Sequence, residues 1–260
     1  MPQEQLTQPF MFPPTQEDLA SDQQGLPHSL EIIREFLDQI HAPEDPFDPN
    51  GEWKHSYRIV IALRGAYGSS SHAGALKISR RLSGSELVEL DIAQSVTASW
   101  YPATSNTTAR LTCAADQLAT PREWEVRSVH LDADRKPVNY TRISTKDAAD
   151  GSKGRIGKRF TSNWSLFDAV QRLPFDGKPL TFDLLEDLDK PKLGHRLCYS
   201  GSMEVTLGGK PVRLHSFSHL GRGILPYTYW LDDNHRLLMA IGGLVAYLHD
   251  PEASLVEESQ

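Results

Sequence analysis

The residues best suited to chemistry lie in one short run, His215-Ser-Phe-Ser-His219. On an extended strand the odd positions Arg213, His215, Phe217 and His219 share a face, which places two imidazoles on one side with a phenyl ring between them. A pair of histidines on one face can act as acid and base, or as two ligands of a metal, once a neighbouring element adds a carboxylate or a third imidazole. Asp232 is the carboxylate this reading selects, with His195 and His235 also near in the chain order. A solvated polar face is the plainer use of the same pattern.

A second group is aromatic. Tyr227 and Tyr229 alternate on one run with Trp230 beside them, and Tyr199 lies upstream. Such rings can line a ligand cavity, their hydroxyls orienting a polar end, or can pack across strands as ordinary core. Arg222, between Gly221 and Gly223, has the bidentate fork that clamps a carboxylate or phosphate. Ligand binding is therefore assigned to Arg213, Phe217, Arg222, Tyr227, Tyr229 and Trp230. His215 and His219 are the candidate catalytic pair, and His215, His219 and Asp232 the candidate metal set. His72 follows three serines, but sequence adjacency is not the geometry of a catalytic triad.

Other chemistries lack their marks. The sequence contains no Gly-rich turn opening a helix, no P-loop, no HExxH, no CxxC and no GxSxG, so nucleotide, zincin, zinc-ribbon and hydrolase readings have no support, and no cofactor is expected. The basic stretch around Lys153 to Arg159 is a loop tip without the strand-to-helix setting of a phosphate site. The two cysteines, Cys113 and Cys198, are either one bridge or two thiols.

These residues need elements to position them. Gly208-Gly209 makes a tight turn into a strand over Pro211 to His219, and Asp232-Asp-Asn-His235 joins two further strand-forming runs in a hairpin. Upstream, Trp53, His55, Tyr57, Ile59, Ile61 and Leu63 alternate with polar and small residues, and short strands follow at intervals through Ile143. Two helices interrupt the pattern. Leu30, Ile33, Phe36, Leu37 and Ile40 form a helical stripe behind Ser29 as N-cap, and Ser165-Leu-Phe-Asp168 has the form of a capping box ahead of Val170 and Leu173. The fold class is mainly β (α+β), a large curved antiparallel meander sheet or half-barrel with one N-terminal and one internal helix.

The chain divides into a disordered acidic arm over residues 1–27, a helix and linker over 28–51, the antiparallel β domain over 52–250, and an acidic tail over 251–260. Residues 1–27 and 250–260 each carry four acidic side chains and no Lys or Arg, so the net charge of −7 leaves the body near neutrality. A neutral body excludes a dominant basic field and, with it, nucleic acid as the main partner. The longest apolar run, Leu237 to Leu248, falls short of the roughly 20 residues of a membrane-spanning helix. No secretory signal is visible at the start, so a cytoplasmic location is the expectation, with an exported form that has lost its signal as the alternative.

The meander, the segment Trp-Ser-Leu-Phe-Asp-Ala-Val-Gln-Arg-Leu at 164–173 and the closing Tyr-Trp-Leu-Asp-Asp-Asn-His-Arg-Leu-Leu at 229–238 resemble a family of bacterial exported β-sheet proteins of unknown function, distantly like the lipoprotein-localisation factors. The resemblance implies a strongly curved sheet whose concave face is covered by helices and holds an apolar ligand. Three functions follow as expectations. The first is a binding or carrier module for a small apolar or amphiphilic molecule. The second is a histidine- or metal-dependent enzyme on the His215/His219 face. The third is an interaction protein that uses the sheet edge or the acidic arms, with residues 1–27 recruiting a partner or a second copy as a homo-oligomer.

Overall fold

Alternation of period two sends neighbouring side chains to opposite faces of a sheet, and this chain uses both faces. In the computed structural model, which describes residues 26–61, 71–97, 104–145, 156–243 and 245–256, thirteen strands form one sheet. They are β1 (Trp53–Ile61), β2 (Ser71–Leu82), β3 (Leu87–Thr97), β4 (Thr104–Ala114), β5 (Pro121–Leu131), β6 (Pro137–Ser144), β7 (Phe160–Ser162), β8 (Leu180–Glu186), β9 (Lys190–Leu207), β10 (Lys210–Leu220), β11 (Tyr227–Leu231), β12 (Leu237–Gly242) and β13 (Val245–His249). Their order is β6-β5-β4-β3-β2-β1-β13-β12-β11-β10-β9-β8-β7. Two meanders are joined where β1 pairs antiparallel with β13.

One pair departs from the antiparallel expectation: β7 runs parallel to β8. The reason is the helix between them, since a parallel pair needs a crossover connection rather than a hairpin. That crossover carries α2 (Leu166–Ala169) and a 3-10 turn over Val170–Arg172. The sheet curls until β7 lies against β5. Thr161 Oγ1 donates to the Leu118 carbonyl at 2.6 Å, and Arg172 Nη1 to that of Asp116 at 2.6 Å, tying the two ends of the sheet together.

The inner face is filled by α2. Leu166, Phe167, Ala169 and Val170 are buried among Tyr57, Ile78, Leu90, Leu111, Phe182, Tyr229 and Ala240. The helix is held by polar contacts that also form its buried charge site. Asp168 pairs with Arg80 Nε at 2.8 Å and Arg172 Nη2 at 2.7 Å, all three side chains less than a tenth exposed. Gln171 donates to the Phe167 carbonyl and accepts from the Leu237 amide at 3.0 Å. The expected capping box is absent. Ser165 makes no side-chain cap bond, because its hydroxyl meets Ser162 at 2.8 Å and Asp168 is committed to the arginines.

The outer face of the central strands is covered by the N-terminal segment. Leu30, Ile33, Phe36, Leu37 and Ile40 pack on Val60, Val205, Leu214, Trp230, Met239, Ile241 and Leu248. Each such side chain contributes about 1.5–3 kcal/mol of burial. The expected stripe is therefore buried, but the helix is broken into α1 (His28–Glu31) and a 3-10 segment, Arg34–Gln39. Short helices are marginal alone, and packing against the sheet selects the shape. Pro27 rather than Ser29 is the N-cap, and Ser29 Oγ instead accepts from Trp230 Nε1 at 3.3 Å.

The C-terminal stretch does not begin as a loose tail. Asp250 accepts from Arg58 at 2.6 Å, and Val256 bonds through its amide to Ser95 and through its carbonyl to Asn106. Residues 1–25 and 257–260, which include most of the proposed arm, lie outside the described residues, as do 62–70 and 146–155. Ser71 to Gly74 belong to β2. Among the described residues no helix is long and apolar enough to cross a membrane.

Candidate functional site

A cavity of about 490 Å³ opens at one end of the inner face. Strands β10, β11, β12 and β13 wall one side, and Asn163, Trp164 and Phe167 wall another. On β11, Tyr227 and Tyr229 point inward with their ring centroids 5.4 Å apart. On β13 alternation brings Val245 and Tyr247 to the same face, and Phe167 meets Tyr247 edge-on at 5.4 Å and Tyr229 at 6.2 Å. Gly242 lies opposite Tyr227 in the register, and the tyrosine ring rests where a Cβ would stand. Glycine is thus required for that ring to lie flat along the wall.

The wall is apolar but has hydroxyls. Tyr247 donates to Gln94 Oε1 at 3.4 Å. Burial pushes its phenol up to about 12, and burial also raises those of Tyr227 and Tyr229, so all three stay protonated as donors. Glu186 and Asp187 stand at the rim. Lys192 Nζ bonds to Glu186 at 2.7 Å, and Lys190 and Asn163 bond to Asp187.

The two candidate catalytic histidines share the inner face but serve different neighbours. Four residues of extended chain span about 13 Å, too far for two imidazoles to hold one atom. His219 lines the cavity, and its Nε2 meets His195 Nδ1 at 2.9 Å in a fully buried pair. Burial, followed by the charge of His195, holds His219 down at about 3, and burial lowers His195 as well. His215 lies outside the cavity, bonded through Nδ1 to the Tyr199 hydroxyl at 2.9 Å and through Nε2 to Asp233 at 2.8 Å. Its ring stacks on Phe175 at 3.8 Å, and His235 stacks on Phe175 at 4.0 Å.

Asp232 does not reach either histidine. Its Oδ1 accepts from the Asn234 and Arg236 amides, which shapes the hairpin turn, and the next residue, Asp233, takes the place the metal reading gave it. Among the described residues no group of three or more His, Cys, Asp or Glu side chains is arranged to hold a metal ion. His72 lies on β2 with its ring edge-on to Phe36 at 5.8 Å. Ser69 and Ser70 lie outside the described residues.

Of the six ligand-binding candidates, Tyr227 and Tyr229 line the cavity and four lie elsewhere. Trp230, between them and the next strand position, faces the opposite side and packs under the N-terminal segment. Phe217 is core, between Phe175 and Tyr199. Arg213 is exposed and bonds Ser202 at 3.3 Å, and Arg222 is exposed in the turn after β10. The cavity residues not anticipated as ligand contacts are Trp164, Phe167, Leu184, Ile224, Leu225, Val245 and Tyr247. Alternation in Val245-Ala-Tyr-Leu-His249 marks Val245 and Tyr247 as one face. Nothing local shows that it faces space rather than core.

Cys113 and Cys198 are free thiols, Cys113 buried against Ser165 with burial pushing it up to about 12. A further cluster not anticipated joins His55, His249, Trp53, Phe47 and Arg236. His55 stacks on Trp53 at 4.6 Å and lies edge-on to His249 at 5.5 Å, while Arg236 covers Phe47 and pairs with Asp45.

No protein-family description matches this sequence, and no curated protein matches it. Among solved structures, the chain is similar to a β-barrel-like protein of domain of unknown function DUF1849 from Brucella abortus, with a TM-score of 0.46 and 11% identity over 78% of this chain and 95% of that one.

Proposed function

We propose that this protein is a binding module that holds a small apolar or amphiphilic molecule in the cavity between α2 and strands β10 to β13. The observation that carries the reading is a space of about 490 Å³ walled by Trp164, Phe167, Tyr227, Tyr229 and Tyr247. An open cleft of this size with mainly apolar and aromatic walls and a few polar groups has the character of a small-molecule site. The rim supplies polar groups, which suits a molecule with a polar end.

The test uses native mass spectrometry of gently purified protein together with titration of N-phenyl-1-naphthylamine, whose emission rises in apolar sites. Expected results are a retained small molecule and saturable emission. In Val245→Phe, which fills the cavity, both are lost while the thermal midpoint stays within a few degrees of the parent. Absence of a retained molecule and of saturable emission, or unchanged binding in Val245→Phe, removes the reading.

A further inference from the structure

Two donors on the cavity wall have no acceptor among the described residues, and they constrain what the cavity takes. The first follows from the tautomers of the histidine pair. His195 Nε2 is buried and makes no hydrogen bond among the described residues. Were it protonated, an N–H would be stranded in the interior, which costs more than an unused lone pair. The proton of His195 therefore sits on Nδ1 and is donated to His219 Nε2 across 2.9 Å. His219 is neutral because burial disfavours its cation, so its own proton must sit on Nδ1. That N–H belongs to a residue of the cavity wall and has no acceptor among the described residues.

The second donor is the Tyr229 hydroxyl, on the same wall and also without an acceptor among the described residues. Register places Tyr227 directly opposite His219 and Tyr229 opposite Phe217, so His219 and Tyr229 are diagonal neighbours on one face. A ligand that leaves such groups unpaired pays their desolvation, and one that offers an acceptor recovers it. The acceptor is not an anion: among the described residues no Lys or Arg lines the cavity, and the two lysines at its rim, Lys192 and Lys190, are already paired with Glu186 and Asp187. Burying a carboxylate there, with no free cation to meet it, would cost its desolvation.

We propose that the cavity selects a neutral carbonyl compound, an apolar ketone or ester whose oxygen accepts from His219 Nδ1–H with the Tyr229 hydroxyl as second donor. This rests on the cavity being a ligand site, and the test separates the two claims by using three probes on one ring system. These are 6-propionyl-2-(dimethylamino)naphthalene as the ketone, 6-(dimethylamino)-2-naphthoate as the carboxylate, and 2-(dimethylamino)naphthalene as the parent without a carbonyl. Wild-type protein is expected to bind the ketone about tenfold more tightly than the parent, and the carboxylate more weakly than either. The ketone's carbonyl stretch shifts to lower frequency in the complex.

In Tyr229→Phe, which removes only a hydroxyl, and in His219→Phe, the ratio of ketone to parent affinity falls towards one and the carbonyl shift diminishes, whatever each change does to the affinity of the parent itself. Equal affinity for ketone and parent, a preference for the carboxylate, or an advantage untouched by Tyr229→Phe and His219→Phe overturns the carbonyl assignment and leaves the apolar site standing. Failure of all three probes to bind overturns both. Should His219→Phe not fold, Tyr229→Phe decides alone.

Discussion

At the scale of residues, adjacent aromatics have separate jobs because a strand alternates. Tyr229 and Trp230 are consecutive, yet one walls a cavity on the inner face and the other anchors the N-terminal segment on the outer face. Trp230→Ala is expected to cost about 3–5 kcal/mol of stability, measured by urea unfolding, without changing the affinity for an apolar probe. A large fall in affinity with stability intact would place Trp230 in the ligand site instead. Residue types and local spacing group Arg213, His215, Phe217 and His219 on one strand face and set Tyr227 and Tyr229 at alternating positions of the next run. They did not show that His215 is tied up by Tyr199 and Asp233, since those partners come from β9 and the hairpin turn.

At the scale of elements, α2 was legible as a helix from Leu166, Phe167, Val170 and Leu173, but the role of its acid was not. A Ser-x-x-Asp spacing describes a capping box in an isolated helix. Here the helix is enclosed by the sheet, and Arg80 from β2 reaches Asp168 instead. Burial pushes the Asp168 carboxyl up and the Arg80 guanidinium down; Arg172 and Arg80 pull the carboxyl back, while Asp168 supports the charge on Arg80 and Arg172 works against it. Asp168→Ala leaves two guanidiniums facing each other in the core and is expected to cost about 3–5 kcal/mol. Ser165→Ala, which removes a hydroxyl contact and no charge, costs about 1 kcal/mol. Chemical denaturation of both variants checks the order, and equal losses would restore the capping role.

For the whole molecule, the inner face encloses imidazoles that cannot charge without water. His55 and His219 are held at about 3 and His249 at about 4, burial being the first cause in each, against an ordinary 6.5. The unfolded chain therefore binds protons that the folded chain refuses. The stability these groups allow is complete above pH 6.5 and is lost as pH falls towards 4 and then 3. Each proton contributes a slope of about 1.4 kcal/mol per pH unit within that window. Asp168 and Asp232, raised chiefly by burial, act in the opposite sense at the acid end. The urea midpoint is expected to fall steadily from pH 7 to pH 4.5, and His55→Phe to flatten the fall. An unchanged slope in His55→Phe would assign the acid sensitivity to other groups.

The sequence alone determined the mainly β class, the antiparallel hairpins, the two helical stripes and the grouping of alternate residues on common faces. These follow from local periodicity and turn chemistry, which each short segment carries in itself. Only the tertiary structure decided which face encloses space. Strand β13 closes against β1, some 190 positions earlier, and α2 packs across the inner face, so Phe167, Tyr229 and Tyr247 meet at the wall of an open cavity. Burial and long-range pairing set that outcome, and no run of neighbouring residues encodes it.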